Sequence, residues 1–486
     1  MPNKYEMAQL PSCVTRLAVN KIFFFKSFKP VTFKPNKIYM ADQAKFTEAI
    51  KAGYTFKGEA AKIGVAMLDG QVVPGADIVL PLKTMNRHGL IAGATGTGKT
   101  KTLQVISECL SDASVPVLLM DIKGDLSGIA AAGTANDKIT ERYQKLNMQY
   151  KPAAYPVELL SLSNQKGARL RATVSEFGPV LLSKILELND TQEGLVAMIF
   201  KYCDDNKMPL LDLKDFTKVL QYVSDEGKAE IEKTYGKIVT TSTGTILRKV
   251  VELQQQGADV FFGEKSFEVD DLMRIDQQGR GVINVLRVTD LQDKPKLFST
   301  FMLQMLAEIY SSFPEEGDVE QPKLCIFIDE AHLVFQEASS VLLQQIETIV
   351  KLIRSKGVGV YFITQNPADM PESVLAQLGL KIQHSLRAFT AKDRKAIKMA
   401  AENYPITQYY QTEDLLTSLG TGEAIVSVPD TELGDVRMQC VVPRFSETPG
   451  AVRSAGPSIG QHNDEVYRAI GLPADEIARL RTAKII

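Results

Sequence analysis

The sequence has no long apolar run, no paired cysteine motif and no excess of one charge. No uninterrupted apolar stretch is long enough to cross a bilayer, so no membrane-spanning helix is predicted. The five cysteines are scattered and include no C-x-x-C pair, so neither a disulfide framework nor a zinc site is predicted. A formal net charge of −2 gives no general positive field that would attract nucleic acid. This does not exclude DNA binding, because a channel can be locally basic. These features predict a soluble globular protein of the reducing cytoplasm.

Residues 93–100 read GATGTGKT and fit the P-loop pattern G-x-x-x-x-G-K-[ST]. Such a loop lets backbone N–H groups surround phosphate oxygens, and the following helix points the positive end of its dipole at the same anion. Lys99 would contact the β- and γ-phosphates, and the Thr100 hydroxyl would bind Mg²⁺. The sequence therefore predicts ATP and Mg²⁺ as cofactors. The predicted nucleotide-binding residues are Gly93, Ala94, Thr95, Gly96, Thr97, Gly98, Lys99 and Thr100.

The segments on both sides of this loop support the interpretation. Residues 88–93 form a short apolar run, as expected of a buried strand, and residues 101–110 carry apolar side chains at helical spacing. A strand, a glycine-rich loop and a helix are the order that a P-loop requires. The alternative is a chance match by a Gly/Thr-rich turn, and the two flanking segments argue against it.

A second apolar run, at residues 323–328, ends in Asp329 and Glu330. Asp329 would hold the Mg²⁺ shell, and Glu330 would polarise the attacking water. Gln365 ends a third apolar run and would orient that water or sense the γ-phosphate; the alternative is a polar residue that only ends a strand. In open α/β sheets ligands bind at the carboxyl ends of the strands, so these side chains are expected near the P-loop.

Two arginines are candidates for a contact between subunits. A ring-shaped ATPase needs an arginine from the next subunit because the charge of the transition state must be compensated. Arg354 ends the helix after the two acids and is the first candidate, while Arg387 is the second. An arginine at a helix end is more often a solvated charge. His332 could relay between nucleotide and partner, or could simply begin a helix. The predicted catalytic residues are thus Glu330, Lys99, Gln365 and Arg354.

Several longer segments resemble the bacterial HerA-like helicase family. They include PLKTMNRHGLIAGATGTGKTKTLQ, LLMDIKGDLSGIAAAG, FIDEAHLVF and LIRSKGVGVYFITQNPADMPESVLAQLG, and the similarity runs from about Met40 to Val441. That family belongs to the HerA–FtsK group of RecA-like motor ATPases, which implies hexameric rings that act on double-stranded DNA. The resemblance places Arg354 where that group has its trans-acting arginine. It implies the roles argued above for five residues: Lys99, Thr100, Asp329, Glu330 and Gln365.

The fold class that follows is α/β: a RecA-like P-loop NTPase with a mainly parallel sheet and a mostly helical insertion. Residues 62–82 are expected to form two short strands around a turn at Gly70, Pro74 and Gly75. Five parts are predicted: an N-terminal extension at 1–39, expected to be disordered, the first part of the ATPase core at 40–134, the helical insertion at 135–265, the second part of the core at 266–442, and a C-terminal tail at 443–486.

The tail resembles another family. Residues 445–486 are similar to the C-terminus of family III CoA-transferases, but the rest of that enzyme is absent, so no CoA chemistry is predicted.

For the core, the predicted function is an ATP-hydrolysing motor of the HerA–FtsK type, a ring-forming DNA helicase or translocase. The alternative is an ATPase switch or motor that acts on a protein client without moving DNA. A nuclease or another protein is a candidate partner.

Overall fold

The structure, a computed structural model, describes residues 43–163, 165–289, 295–317, 319–335, 340–388, 390–404 and 410–428, together with Arg479. The predicted extension at 1–39 lies outside the described residues, and so does the predicted tail at 443–486 apart from Arg479. None of the described helices combines the length and apolar character that crossing a membrane requires.

Eleven strands are present in the described part of the chain. They are β1 (Ala60–Leu68), β2 (Gln71–Pro81), β3 (Gly89–Ala92), β4 (Val117–Asp121), β5 (Val157–Ser161), β6 (Ala168–Arg169), β7 (Ile283–Arg287), β8 (Leu324–Ile328), β9 (Val358–Thr364), β10 (Leu380–His384) and β11 (Ala424–Ser427).

Fifteen α-helices accompany these strands within the described ranges. They are α1 (Gln43–Gly53), α2 (Lys99–Asp112), α3 (Asp137–Lys145), α4 (Val174–Ile185), α5 (Asp190–Asp205), α6 (Leu213–Ser224), α7 (Lys228–Tyr235), α8 (Thr240–Gln255), α9 (Ala258–Phe261), α10 (Pro295–Ser312), α11 (His332–Phe335), α12 (Ser340–Leu352), α13 (Glu372–Leu375), α14 (Ala391–Glu402) and α15 (Thr412–Ser418). A short 3-10 helix at Ile353–Lys356 continues α12.

Nine strands form one large sheet in the order β11-β10-β3-β9-β8-β4-β7-β5-β6. All neighbours are parallel except β11, which runs antiparallel to β10. Every residue of β3, β4, β8 and β9 is buried. Strands read as continuous apolar runs in this way when both faces of a sheet are covered. The mainly parallel α/β sheet predicted from the sequence is confirmed.

Alternate residues of the central strands belong to two separate hydrophobic cores. Leu118 and Met120 of β4 pack in the core that contains α10 and most of the helices between β6 and β7. Val117 and Leu119 pack in the core on the other face, with the apolar side of α2. This is the period of two expected of a strand, and it shows that helices cover the sheet on both sides.

The first two strands form a separate antiparallel hairpin ahead of the P-loop strand. Leu68 pairs with Gln71, so the turn consists of Asp69 and Gly70, both with positive φ (49° and 74°). Two residues of that kind match the twist of a hairpin. The predicted turn at Gly70, Pro74 and Gly75 is therefore too long: residues 74 and 75 lie inside β2, because the two-residue turn completes the reversal before them.

Residues 135–265 contain helices α3 to α9 but also contribute two strands to the large sheet. β5 pairs with β7 in parallel, and β6 adds two residues at the edge. The helical pattern of this segment does not predict these strands, because β5 is half-buried and β6 is exposed. The helices between β6 and β7 pack around aromatic side chains such as Phe177, Phe261 and Phe262. The domain limits themselves remain a prediction.

Candidate nucleotide-binding site

Four neighbouring parallel strands end at one edge of the sheet and bring the predicted motifs together. The P-loop follows β3, and Gln365 follows β9. Asp329 and Glu330 follow β8, and the loop at residues 122–126 follows β4. This edge is where open α/β sheets bind their ligands.

The P-loop needs glycine at both of its ends because other backbones press against it. A Cβ on Gly93, whose φ is +152°, would lie 2.5 Å from the Cβ of His384. A Cβ on Gly98, at φ +118°, would lie 3.0 Å from the Cα of Gly422. Residues with a Cβ rarely adopt such backbone angles. The spacing of the two glycines therefore reflects close packing of the loop on β10 and on the turn before β11.

Lys99 begins α2 and lies inside the loop, with 6% of its surface exposed. Its Nζ donates to the carbonyl oxygens of Gly93 at 2.6 Å and Ala94 at 3.1 Å. Burial lowers the pKa of Lys99, and the nearby charge of Lys123 lowers it further. The ammonium group is thus positioned where the loop would surround an anion.

The two acids after β8 are both buried. Asp329 is 4% exposed and Glu330 5%. Burial raises the pKa of Asp329 to about 6, although the charge of Lys123 opposes the change. Glu330 has a positive φ of 46°, a conformation that is uncommon for a residue with a side chain and that occurs often at functional sites.

The side chain of Glu330 is contacted by three polar neighbours. Lys123 Nζ forms an ion pair with Oε1. Gln365 Nε2 lies 3.5 and 3.4 Å from the two carboxylate oxygens, and Gln365 Oε1 accepts a hydrogen bond from Thr95 Oγ1 at 3.2 Å. His332 Nδ1 lies 3.3 Å from Oε2, at the start of α11. Gln365 therefore bridges the acid and the P-loop, so three of the sequence-predicted elements meet.

The residues present fit a magnesium ion. Mg²⁺ prefers hard oxygen ligands and usually takes one or two from the protein, with phosphates and waters as the others. Thr100 in the P-loop and Asp329 after β8 would supply a hydroxyl and a carboxylate. Among the described residues, no group of three or more His, Cys, Asp or Glu side chains is arranged to hold a metal ion by itself. Burial also raises the pKa of Asp329, so a cation beside this carboxylate would stabilise its charged form.

The two candidate arginines lie in different places. Arg354 is exposed and lies in the 3-10 helix that precedes β9. Gln365 follows the other end of the same strand. Arg387 lies after β10, and its Nη2 donates to the carbonyl oxygen of Thr95 in the P-loop of its own chain at 3.2 Å. That contact does not fit the idea that Arg387 is delivered from a neighbouring subunit. Arg354 remains the candidate for that role.

Two side chains at the site were not predicted from the sequence. Lys123 follows β4 in the segment KGD, and only its place at the end of a buried strand could have indicated it. His384 ends β10 and is buried: its Nε2 lies 3.0 Å from Thr102 Oγ1 and its Nδ1 2.9 Å from the carbonyl oxygen of Glu423. His384 thus ties α2 to the turn before β11.

The glycine-rich loop with its lysine, the paired acids and the parallel sheet define this chain as a P-loop ATPase with a RecA-like fold. Residues 67–446 match the family described as Helicase HerA-like C-terminal. The chain belongs to that family.

Known relatives extend this assignment. The DNA double-strand break repair helicase HerA of Sulfolobus acidocaldarius is 22% identical over 397 residues, which cover 79% of this chain and 69% of that protein. The HerA helicase of Sulfurisphaera tokodaii is 23% identical over 397 residues, or 79% and 70% of the two chains. Plasmid coupling protein TrwB in complex with the ATP analogue ADPNP has a TM-score of 0.51 at 14% identity, over 79% of this chain and 89% of that one. This last likeness shows the fold alone.

A separate relationship concerns a short C-terminal stretch. Succinyl-CoA–D-citramalate CoA-transferase of Chloroflexus aurantiacus is 35% identical over 97 residues, which are 19% of this chain and 24% of that enzyme. The chain thus spans about a quarter of the transferase. The resemblance of the tail to such enzymes is confirmed, but most of the transferase has no counterpart in the match.

Proposed function

We propose that this protein hydrolyses ATP at the described site and uses the energy to move along double-stranded DNA, as a motor of the HerA–FtsK type. The observation that carries the proposal is the meeting of Lys99, Glu330 and Gln365 at one edge of the sheet. Lys99 would hold the β- and γ-phosphates, Glu330 would polarise the attacking water, and Gln365 would orient it. Mg²⁺, held by Thr100 and Asp329, would compensate the charge of the phosphates.

The choice of duplex DNA is supported by the family and by the HerA relatives, which are DNA double-strand break repair helicases. A motor of this class would assemble as a homo-oligomeric ring, for which six subunits are proposed, with Arg354 completing the site of the next subunit. It would work in the cytoplasm. A nuclease or another protein would be the partner that acts on the moved DNA.

A second function, an ATPase that acts on a protein client, is favoured by one observation. The formal net charge of −2 provides no general attraction for DNA. A local basic surface, rather than the whole chain, would have to bind the phosphate backbone if DNA is the substrate.

ATP turnover with and without duplex DNA separates the two functions. We expect DNA to stimulate turnover at about 50 mM salt and to stimulate it much less at about 200 mM, because binding to phosphates releases counterions. The Glu330→Gln variant serves as the background control for contaminating ATPases. If the parent protein hydrolyses ATP and duplex DNA changes the rate at neither salt concentration, the proposal of a DNA motor is wrong and a protein client becomes the better candidate.

A further inference from the structure

Lys123 forms an ion pair with the acid that is proposed to activate water. Its Nζ contacts Glu330 Oε1, and the glutamate side chain is 6% exposed whereas the lysine side chain is 39% exposed. The lysine therefore has room to move, while the carboxylate is enclosed by Gln365 and His332 as well.

The loop that carries Lys123 is held by a buried carboxylate. Asp121 ends β4 and is fully buried, and its Oδ1 accepts from the N–H groups of Gly124 at 2.6 Å and Asp125 at 3.2 Å. Its Oδ2 accepts from Leu126 N–H at 3.2 Å. A carboxylate that accepts several backbone hydrogen bonds fixes the loop around it. Lys123 thus extends from a defined backbone position.

Contacts place the ammonium group of Lys123 beside the P-loop, because it pairs with Glu330 and Gln365 joins Glu330 to Thr95. Lys123 is near enough to Lys99 to contribute to the lowered pKa of that residue, after burial. Burial alone would lower the pKa of Lys123, but the bond to Glu330 and the charge of Asp329 outweigh it, so the pKa is raised. Lys99 and Lys123 therefore converge on one region from the ends of two strands.

The ion pair and the proposed chemistry make competing demands on Glu330. A carboxylate oxygen that is already paired with an ammonium group is less available to accept a hydrogen bond from water. The terminal phosphate of a nucleoside triphosphate carries more charge than one carboxylate and would lie between Lys99 and Glu330 if the proposed function is correct. It would compete with Glu330 for the ammonium group of Lys123.

We propose that Lys123 detects the γ-phosphate: it pairs with Glu330 in the structure and transfers to the γ-phosphate of a bound nucleoside triphosphate, which releases Glu330 to act on water. The inference rests on the proposed ATPase function and adds a reason why the base is active only when a triphosphate is present.

Nucleotide binding by the full-length Lys123→Met variant tests this directly. A hydrogen bond to a charged group contributes about 1.5–3 kcal/mol, so affinity for a non-hydrolysable ATP analogue should fall about tenfold or more, while affinity for ADP stays within about twofold. Lys123→Arg keeps the cation and should restore most of the discrimination. Lys62→Met is the matched control, because Lys62 also forms an ion pair, with Asp77 at 2.8 Å, and has similar exposure but lies on the hairpin.

A second arm uses the partner of the ion pair. Glu330→Gln removes the competing charge, so affinity for the ATP analogue should rise severalfold, and this gain should largely disappear in the Lys123→Met/Glu330→Gln double variant. Because Lys123 is intact in Glu330→Gln, the single variant serves if Lys123→Met does not fold, and an affinity for the ATP analogue that does not rise in Glu330→Gln would then overturn the inference. An equal loss of ADP and analogue binding in Lys123→Met, or an undiminished gain in the double variant, would overturn the inference. If the parent binds neither nucleotide, the proposed function itself fails.

Discussion

Adjacent acids at the end of β8 are expected to have different tasks, because their neighbours differ. Glu330 contacts Gln365 and Lys123, whereas Asp329 is the carboxylate available for the ion that Thr100 would share. Glu330→Gln should bind ATP and hydrolyse it about 10²–10⁴-fold more slowly, the usual contribution of a general base. Asp329→Asn should instead lose the part of ATP affinity that depends on Mg²⁺. Binding titrations with and without Mg²⁺, and single-turnover hydrolysis, measure both effects. Identical defects in the two variants would contradict this division.

His88 predicts how the stability of the protein depends on pH. It is buried before β3, its Nδ1 accepts the N–H of Val360 at 3.0 Å, and burial lowers its pKa to about 4. In the unfolded chain the pKa of this histidine is near 6.5. Between pH 4 and pH 6.5 the unfolded chain therefore binds a proton that the folded chain does not bind. Protonation of His88 therefore does not reduce the free energy of unfolding above about pH 6.5. The free energy falls as the pH drops towards 4, by about 2 kcal/mol at pH 5.

The variant His88→Asn isolates this effect. Asparagine offers an acceptor for Val360 N–H and tolerates the positive φ of 58° at this position, but it does not titrate. Urea unfolding at pH 7 and pH 5 should show a smaller loss for the variant than for the parent. Equal losses in the two proteins would show that His88 does not contribute.

At the scale of elements, the turn between α15 and β11 is predicted to support the P-loop. Gly422 donates its N–H to the carbonyl oxygen of Thr97 at 2.7 Å, and Arg142 of α3 donates to the carbonyl oxygens of Thr421 and Gly422 at 3.2 and 2.9 Å. A Cβ on Gly422, at φ +78°, would lie 2.6 Å from Arg142 Nη2. The turn therefore joins three distant parts of the chain at the nucleotide site.

Replacing Gly422 should disturb nucleotide binding as well as stability. Gly422→Ala is expected to weaken ADP affinity about tenfold, equivalent to about 1.4 kcal/mol, because the turn or Arg142 must move. Gly75→Ala is the control: Gly75 has a similar φ of +83° in β2 but no atom within 4 Å of its missing Cβ. Both variants should lose about 1–2 kcal/mol of stability from the backbone angle. A thermal unfolding series with ADP titrations compares them, and equal ADP affinities would refute the coupling.

The sequence predicted the elements whose pattern is local, and it missed contacts that depend on distant segments. β3, β8 and β9 are continuous apolar runs because helices cover both faces, and a predicted motif follows each of these strands. β5 and β6 have no such pattern, since the last two strands at this side of the sheet are only partly buried or exposed. Lys123 and His384 belong to the site only because β4 and β10 lie beside motif-bearing strands, and strand order cannot be read from spacing alone. Likewise, the sequence could not show that Arg387 contacts its own P-loop.

At the scale of the whole molecule, the position of Arg354 predicts a site shared between subunits. Arg354 precedes β9 and Gln365 follows it, and seven residues of strand span about 20 Å. Arg354 is also near enough to His88, before β3, to contribute to its lowered pKa after burial. It therefore lies at the edge of the sheet opposite to its own P-loop, exposed and available to a neighbouring subunit.

Mixing two inactive variants tests whether catalysis is shared. Arg354→Ala should bind ATP normally and lose hydrolysis by about 10³-fold or more, as for arginines supplied in trans. Mixed with Lys99→Ala protein, it should regain part of the activity, because some interfaces then pair an intact P-loop with an intact arginine. If mixed oligomers form and remain inactive at every ratio, Arg354 does not act in trans.

The central claim is that the cluster at the carboxyl ends of the parallel strands hydrolyses ATP. The most direct measurement is phosphate release from ATP by the purified full-length chain, with and without Mg²⁺, beside a Lys99→Ala variant purified in the same way. We predict release that requires Mg²⁺ and falls to background in Lys99→Ala, because that variant lacks the ammonium group inside the loop. Release at the same rate by both proteins, or no release by a parent protein that is folded and exposed to Mg²⁺ and duplex DNA, would contradict the claim.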